Sequence, residues 1–308
     1  MLRLSSCTCF MLPIYRSECR DGGRRTIHIE ITNACNLECS NCTRFVGHHK
    51  HPYFMDVETF VKAANSLKYF PGMVGIMGGE PTLHPDFQEI LTVFRDIIPE
   101  DYRRGLWTNG FKYPLHKEAI EETFLPHNIV YNDHNPNVPD YHQPLLIASK
   151  DVVPDYEERK ALIDNCWVQR RWSASITPKG AFFCEVAAAQ DHLFNGPGGW
   201  DLTSDWWDKR PEEFQDQVER YCHNCSACVP MNKISAYDGY DYASQSNLKL
   251  LEELNTPRYR KGAVLLAGEE MVCESYDTAT NVRPWEHRGL EARQWSNGDL
   301  VVDDLTSD

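Results

Sequence analysis

The sequence predicts an α/β fold in which helices cover one side of a parallel sheet. The prediction rests on short apolar or β-branched runs that alternate with amphipathic stretches of helical period. Such an alternation of strand and helix is typical of a parallel sheet. In a curved parallel sheet the functional site lies at the carboxyl ends of the strands. We therefore expect the chemically important residues directly after the strands.

The predicted elements follow one another from residue 26 to residue 148. Strands are expected at 26–32, 73–77, 104–108, 128–131 and 145–148, and helices at 56–69, 85–98 and 117–124. Apolar residues three and four positions apart mark the helices, as at Phe87, Ile90, Leu91 and Phe94. Pro71-Gly72 ends the first helix. The order of these elements predicts five parallel strands.

The composition limits the possible classes of function. With 308 residues, 42% of them hydrophobic, the chain is long enough for one large domain with an appendage. The formal net charge is -14 and no basic stripe is visible, so a nucleic-acid partner is not expected. No apolar run approaches about 18 residues, so a membrane partner is not expected either.

Three cysteines follow the first predicted strand within a single loop. Cys35, Cys39 and Cys42 form a C-x3-C-x2-C motif, called the triad below. Three thiolates from one short loop match a closed four-ligand zinc site poorly. They can, however, hold three irons of a cubane cluster and leave the fourth iron free for a chelating ligand. The triad is therefore predicted to be a metal site.

The triad and the later segment Gly78-Gly79-Glu80-Pro81 together resemble the radical S-adenosylmethionine (SAM) superfamily. The resemblance implies a partial (β/α) TIM-like barrel, a SAM-binding 4Fe-4S cluster on the triad, and contacts between the Gly-Gly-Glu-Pro segment and the SAM ammonium group. It also implies that Thr108 and Asn109 lie near the SAM ribose. An ordinary turn after a strand would have the same sequence pattern. The sequence departs from the family pattern at Asn41, where an aromatic residue is usual.

Five further cysteines occur at ligand-like spacings: Cys166, Cys184, Cys222, Cys225 and Cys228. A zinc knuckle fits their C-x2-C spacings taken alone. Pro178-Lys179-Gly180 predicts a hairpin between the first two of them. Joined to the triad, the group resembles the Twitch or SPASM extension of radical SAM enzymes, which implies a second, auxiliary 4Fe-4S cluster. One thiol is surplus to a four-ligand site, so the ligand set stays open among the five.

These motifs divide the chain into four predicted parts. Residues 1–25 are an N-terminal extension, 26–165 the radical SAM core, 166–235 a small cysteine-rich auxiliary-cluster domain, and 236–308 a C-terminal tail. Eight thiols in ligand-like groups indicate reduced cysteines and a cytoplasmic location. The roles of Cys7, Cys9 and Cys19 in the extension stay open.

The resemblance also implies a class of reaction. Its members cleave SAM reductively to a 5'-deoxyadenosyl radical that removes hydrogen from the substrate, and they require an electron donor such as flavodoxin or ferredoxin. No peptide-recognition segment is visible before the first strand, so we expect a small polar substrate such as an amino sugar or aminocyclitol.

The fate of the substrate radical decides the reaction. We expect epimerisation, as in the aminoglycoside epimerases of the superfamily, with Cys273 or Cys228 as hydrogen donor. The alternatives are dehydrogenation with the auxiliary cluster as electron acceptor, as in the aminocyclitol dehydrogenase members, and modification of a ribosomal peptide. A non-enzymatic iron- or zinc-binding module is the alternative from another class.

Overall fold

A computed structural model describes residues 26–273, except 133, 135–139, 167, 169–173 and 210, and also the short strands at 295–296 and 299–300. The extension predicted for residues 1–25 lies outside the described residues, as does most of the tail beyond Cys273. Among the described helices, none is both long and apolar enough to cross a membrane.

The strands, in chain order, are β1 (Thr26–Thr32), β2 (Met73–Gly78), β3 (Arg104–Thr108), β4 (Ile129–Tyr131), β5 (Tyr141–His142), β6 (Ala174–Thr177), β7 (Gly180–Phe182), β8 (Ile234–Ser235), β9 (Asp241–Ala243), β10 (Val264–Leu266), β11 (Trp295–Ser296) and β12 (Asp299–Leu300). Six of them form a central sheet in the order β4-β3-β2-β1-β6-β7. Every neighbouring pair in that sheet is parallel except β6 and β7, which form an antiparallel hairpin.

The helices, in chain order, are α1 (Val57–Ser66), α2 (Phe87–Ile97), α3 (Tyr113–Thr123), α4 (Ser149–Val152), α5 (Tyr156–Asp164), α6 (Glu185–Leu193), α7 (Gln215–Tyr221), α8 (Gln245–Glu253) and α9 (Pro257–Arg260). The first three connect the parallel strands. The Asp56 side chain caps α1 by accepting a hydrogen bond of 2.8 Å from the Thr59 amide.

Residues of β1 alternate between two environments. Ile27, Ile29 and Ile31 are fully buried in a core that also contains Phe60 of α1 and Phe87 of α2. Because successive side chains of a strand point to opposite faces, the polar residues between these isoleucines line the other face of the sheet. We call this second face the inner face. The inner face therefore carries polar groups, among them His28 and Glu30.

Two predicted elements need correction. Residues 145–148 form no strand of the sheet. Leu146 makes an isolated bridge to Ala243, and Leu145 and Leu146 pack in a second core with the later cysteines. The strand that lies parallel to β1 on its other side is instead β6. The third helix begins at Tyr113 rather than at residue 117, because Pro114 is well accommodated in a first helical turn.

The predicted hairpin is present as β6 and β7, and it belongs to the central sheet. Ile27 of β1 pairs with Ala174, and Ile29 pairs with Ile176. The hairpin thereby brings Cys184, which directly precedes α6, next to the parallel strands. The domain boundaries at 165/166 and 235/236 remain predictions.

Candidate functional site

Three segments that follow strands meet at one edge of the sheet. The triad loop follows β1, Gly78-Gly79-Glu80-Pro81 ends β2, and Thr108-Asn109-Gly110 ends β3. The Gly79 amide donates to the Thr32 carbonyl (2.8 Å) and the Glu80 amide to the Ala34 carbonyl (2.7 Å). A Cβ at Gly79 would lie 2.3 Å from the Ala34 carbonyl oxygen. Only glycine therefore allows this close approach of the two backbones.

The Glu80 carboxylate joins the ends of β2 and β3. It is fully buried and accepts hydrogen bonds from the Thr82 amide (3.0 Å), the Thr82 hydroxyl (2.6 Å), the Thr108 hydroxyl (2.7 Å) and the Asn109 amide (2.6 Å). Four donors match the acceptor capacity of a carboxylate. Contact of this segment with SAM remains a prediction. Because the Glu80 carboxylate is already saturated, such a contact would come from the backbone groups of the segment.

Asn109 connects the end of β3 to the triad loop. Its Nδ2 lies 2.9 Å from Asn36 Oδ1 and 3.7 Å from Cys35 Sγ. The Leu37 amide also donates to Cys35 Sγ, at 3.4 Å. Hydrogen bonds of this kind to a cysteine sulfur stabilise its thiolate form and tune iron–sulfur sites.

The three triad thiols lie close enough to influence one another. Burial raises the pKa of Cys35 to about 12 and that of Cys39 to about 12, and the charge of Cys42 adds to both shifts. Burial also raises the pKa of Cys42, while the backbone amides of Val46 and Arg44 act in the opposite direction. An all-sulfur donor set with amide donors around it fits an iron–sulfur cluster, which binds the ionised thiols.

The five later cysteines line one shared pocket. Burial raises the pKa of Cys222 well above its usual value, and the charges of the other four thiols raise it further. The structure therefore brings all five together without separating four ligands from one surplus thiol. Within the described residues, no group of three or more His, Cys, Asp or Glu side chains is close enough to ligate a single metal ion. The fit of this pocket to a cluster rests on its all-sulfur donors.

The structure places both predicted hydrogen donors near the later cysteines. Cys228 lines the pocket just described. Cys273 is partly buried; its amide donates to the Pro230 carbonyl (3.0 Å), and its Sγ lies 3.7 Å from Asn232 Oδ1. Cys273 therefore packs against the segment that follows Cys228.

A buried charged group lies between the two cysteine groups and was missed by sequence reasoning. Arg44, two residues after Cys42, pairs with Glu185, which directly follows Cys184. Arg44 Nε also lies 3.4 Å from Glu30 Oε2, and His28 Nδ1 lies 3.5 Å from Glu185 Oε2. Burial alone would lower the pKa of Arg44, but the two carboxylates raise it. The available signal was the pair of polar residues at alternate positions of a buried strand, His28 and Glu30.

The C-terminal segment also belongs to the site. Asp241 Oδ1 accepts a hydrogen bond from the Asn41 amide, and Asn41 Oδ1 accepts one from the Tyr242 amide (3.0 Å). Asn41 adopts a left-handed conformation (φ 52°), which asparagine tolerates better than most residues. Asn41, where the family resemblance leads one to expect an aromatic residue, thus pairs with β9 on both its amide and its side-chain oxygen.

Comparison with known proteins gives a match to one family model over about a third of the chain. Residues 29–129 match the model of the Radical SAM superfamily. The chain is 34% identical over 103 residues to a probable GTP 3',8-cyclase of Methanocaldococcus jannaschii, which covers 33% of this chain and 34% of that protein. It is 34% identical over 86 residues to the corresponding protein of Saccharolobus solfataricus, covering 28% and 27%. The chain thus spans about a third of these relatives' length or less.

Two solved structures give weaker likenesses. BtrN in complex with AdoMet and 2-DOIA is 19% identical, with a TM-score of 0.42, covering 66% of this chain and 92% of that chain. Streptococcus suis SuiB bound to the precursor peptide SuiA is 18% identical, with a TM-score of 0.28, covering 46% and 30%.

Proposed function

We propose that residues 29–129, which match the Radical SAM superfamily model, cleave SAM reductively and remove hydrogen from a small polar substrate. The observation that carries this proposal is the meeting of the triad loop, the Gly-Gly-Glu-Pro segment and Thr108-Asn109-Gly110 at one edge of a mostly parallel sheet. Helices on the outer face of that sheet support the partial (β/α) barrel. Cys35, Cys39 and Cys42 would hold the 4Fe-4S cluster that binds SAM.

When bound, the cluster and SAM supply one electron and a 5'-deoxyadenosyl radical. The chain's own residues have to orient them and keep water away. Glu80 connects the ends of β2 and β3 through its hydrogen bonds, and the side-chain amide of Asn109 contacts Asn36 in the triad loop. These contacts hold the predicted cofactor site in one shape before any ligand binds.

The inner face supports a polar, cationic substrate. Two carboxylates, Glu30 and Glu185, face one guanidinium, Arg44, so the group has one carboxylate in excess. Burial raises the pKa of Glu30, which means that a substrate ammonium group beside it would be a favourable counter-charge. Arg44 Nη1 is buried and has no hydrogen-bond partner among the described side chains and backbone, so it could donate to a substrate hydroxyl. An amino sugar or aminocyclitol offers both groups.

The archaeal relatives do not change this choice of substrate. They are named for a GTP cyclisation, but the match covers only about a third of each protein's length. A likeness over so short a length does not carry the relatives' substrate over to this chain. The comparison supports the radical chemistry, and the proposed substrate class rests on the residues of the inner face alone.

We further propose that four of Cys166, Cys184, Cys222, Cys225 and Cys228 hold an auxiliary 4Fe-4S cluster, which supplies an electron acceptor. Their shared, buried pocket supports this. If Cys228 is one of the four ligands, it has no thiol hydrogen to give, and this would favour dehydrogenation over epimerisation through Cys228. Dehydrogenation also requires a base that takes a proton from the substrate. The candidate is the pair His134 and Asp140, in which Asp140 Oδ2 lies 2.9 Å from His134 Nδ1.

Epimerisation remains the second candidate, with Cys273 as hydrogen donor. The Cys273 S–H bond would break as a C–H bond forms at the inverted carbon, and the resulting thiyl radical would need one electron from the reductant and one proton from solvent at each turnover. In deuterium oxide an epimerase therefore labels the inverted carbon, whereas a dehydrogenase gives an unlabelled ketone. Loss of epimerisation in Cys273→Ala would support the donor role; full solvent labelling by that variant would exclude it.

The proposal is tested by anaerobic reconstitution with iron and sulfide, followed by incubation with SAM and dithionite. We expect 5'-deoxyadenosine from the wild-type chain and none from Cys35→Ala. Glu118→Gln, an exposed change on α3, is the matched control and should retain the product. Reduced flavodoxin or ferredoxin in place of dithionite tests the expected donor. An iron-poor, zinc-loaded chain that forms no product would instead favour the metal-binding module.

A further inference from the structure

We propose that Asp241 is a positioning residue for the triad, acting on the thiols through the backbone of their loop. Its chemical importance rests on the proposed function, because it concerns the cluster that the triad would hold. The contacts that define its role are independent of that function. Asp241 lies in the part of the chain in which the family resemblance offers no motif.

The Asp241 carboxylate is buried and held from three sides. Oδ1 accepts a hydrogen bond from the amide of Asn41, the residue directly before Cys42. Oδ2 lies 2.8 Å from His48 Nε2 and 2.8 Å from Arg258 Nε. All three of the side chains that meet here are at most 4% exposed. Arg258 supplies the counter-charge that a buried carboxylate requires.

Neighbouring contacts tie the rest of the loop to the same segment. Arg258 Nη1 donates to the carbonyl of Glu38 (2.8 Å), directly before Cys39. The Ser40 amide donates to the Ala236 carbonyl (2.8 Å), and Ser40 Oγ accepts from the Gly239 amide (2.8 Å). Backbone groups on both sides of Cys39, and directly before Cys42, are thus satisfied by residues 236–258.

The conformation of the triad loop therefore depends on contacts with a distant segment of the chain. A loop that must present three sulfurs to one cluster needs a fixed backbone, because second-layer contacts orient the ligands of a metal site. Here those contacts come from a segment about 200 residues further along the chain. Asp241 is its central member, because it holds the Asn41 amide and Arg258 together.

Hydrogen exchange of the metal-free chain tests the anchoring directly. In Asp241→Ala we expect the peptide covering residues 38–43 to exchange about tenfold faster or more, because a hydrogen bond to a charged group is lost. Asp241→Asn keeps an acceptor oxygen and should show a smaller increase. Asp238→Asn, an exposed change in the same segment, should match the wild type. Unchanged exchange at 38–43 in Asp241→Ala, or an equal rise in α2, would overturn the role.

A spectroscopic readout separates positioning from general stability. After reconstitution, the electron paramagnetic resonance signal of the reduced triad cluster should shift on addition of SAM in the wild type. We expect this shift to be lost in Asp241→Ala and partly kept in Asp241→Asn. The same SAM-dependent shift in all variants would overturn the positioning role. An iron-free wild-type chain would instead overturn the proposed function, while the exchange rates would still decide whether Asp241 anchors the loop.

Discussion

Arg44 and Glu185 form a buried ion pair that joins the loop of the triad to the first turn of α6, beside Cys184. Both side chains are only 4% exposed. Since Arg44 also faces Glu30, the pair is the centre of a charged group that lies between the two sets of thiols. The pair therefore links the loop of the triad to the segment that carries Cys184.

Replacing Arg44 by methionine should destabilise the chain strongly. The change leaves Glu30 and Glu185 buried without a counter-charge, and breaking a buried pair on one side costs about 3–5 kcal/mol. Urea unfolding of the metal-free chain measures the loss of free energy. Lys62→Met breaks the exposed pair with Glu58 and is the control, for which we expect an unchanged midpoint. Equal stability of Arg44→Met and the wild type would mean that the pair has no structural role.

Glu80→Gln should weaken SAM binding without unfolding the chain. Glutamine keeps one acceptor oxygen, so part of the hydrogen-bonding to Thr82, Thr108 and Asn109 is lost. Charged hydrogen bonds of this kind contribute about 1.5–3 kcal/mol, so we expect at least about tenfold weaker SAM binding. Equilibrium binding to the reconstituted protein measures it. The control is Glu89→Gln, an exposed change on α2, and a result like that control would show that Glu80 does not organise the site.

The sequence could predict what depends on neighbours in the chain. Periodicity located β1 to β4, α1 and α2, because the spacing of apolar residues such as Phe87 and Phe94 is a local property. The same reasoning failed at residues 145–148. A short apolar run has the same pattern whether it is a strand or part of a buried loop. Here its first two residues pack in one core with the later cysteines.

The missed residues of the site share one physical cause. Arg44 and Glu185 are 141 residues apart in the chain, and Asn41 and Asp241 are 200 apart. No local pattern encodes such partners, because each is selected by what the folded chain brings next to it. Cysteine spacing is different, since a loop of a few residues already brings its thiols together. The grouping of the triad thiols in one loop could therefore be expected from sequence, whereas the distant residues that contact this loop could not.

Buried histidines should make the chain less stable in acid. Burial lowers the pKa of His84, against a smaller opposite effect of its hydrogen bond to the Met55 carbonyl. The Asp86 amide donates to His84 Nδ1, an arrangement that requires the neutral ring. The unfolded chain therefore binds a proton below pH 6.5 that the folded chain resists, and stability falls as the pH drops from about 6.5 towards the lowered pKa.

Urea unfolding between pH 7.5 and 5 measures this dependence. We expect His84→Gln to lose less free energy of unfolding over that range than the wild type, because it removes one group that gains a proton on unfolding. His127→Gln is the control, because that ring lies in an exposed turn. If His84→Gln and the wild type have the same slope against pH, the ring is protonated in the folded chain as well.

Removal of single thiols should show that the iron is distributed over two clusters. Cys35→Ser and Cys184→Ser should each lose about half of the iron of the reconstituted wild type, because each breaks one of two sulfur sites. Only Cys35→Ser should abolish formation of 5'-deoxyadenosine, since the triad is the predicted SAM site. Cys228→Ser should keep the full iron content if Cys166, Cys184, Cys222 and Cys225 form the ligand set. Iron analysis and absorption spectra decide: equal iron in Cys184→Ser and the wild type would contradict an auxiliary cluster in this pocket.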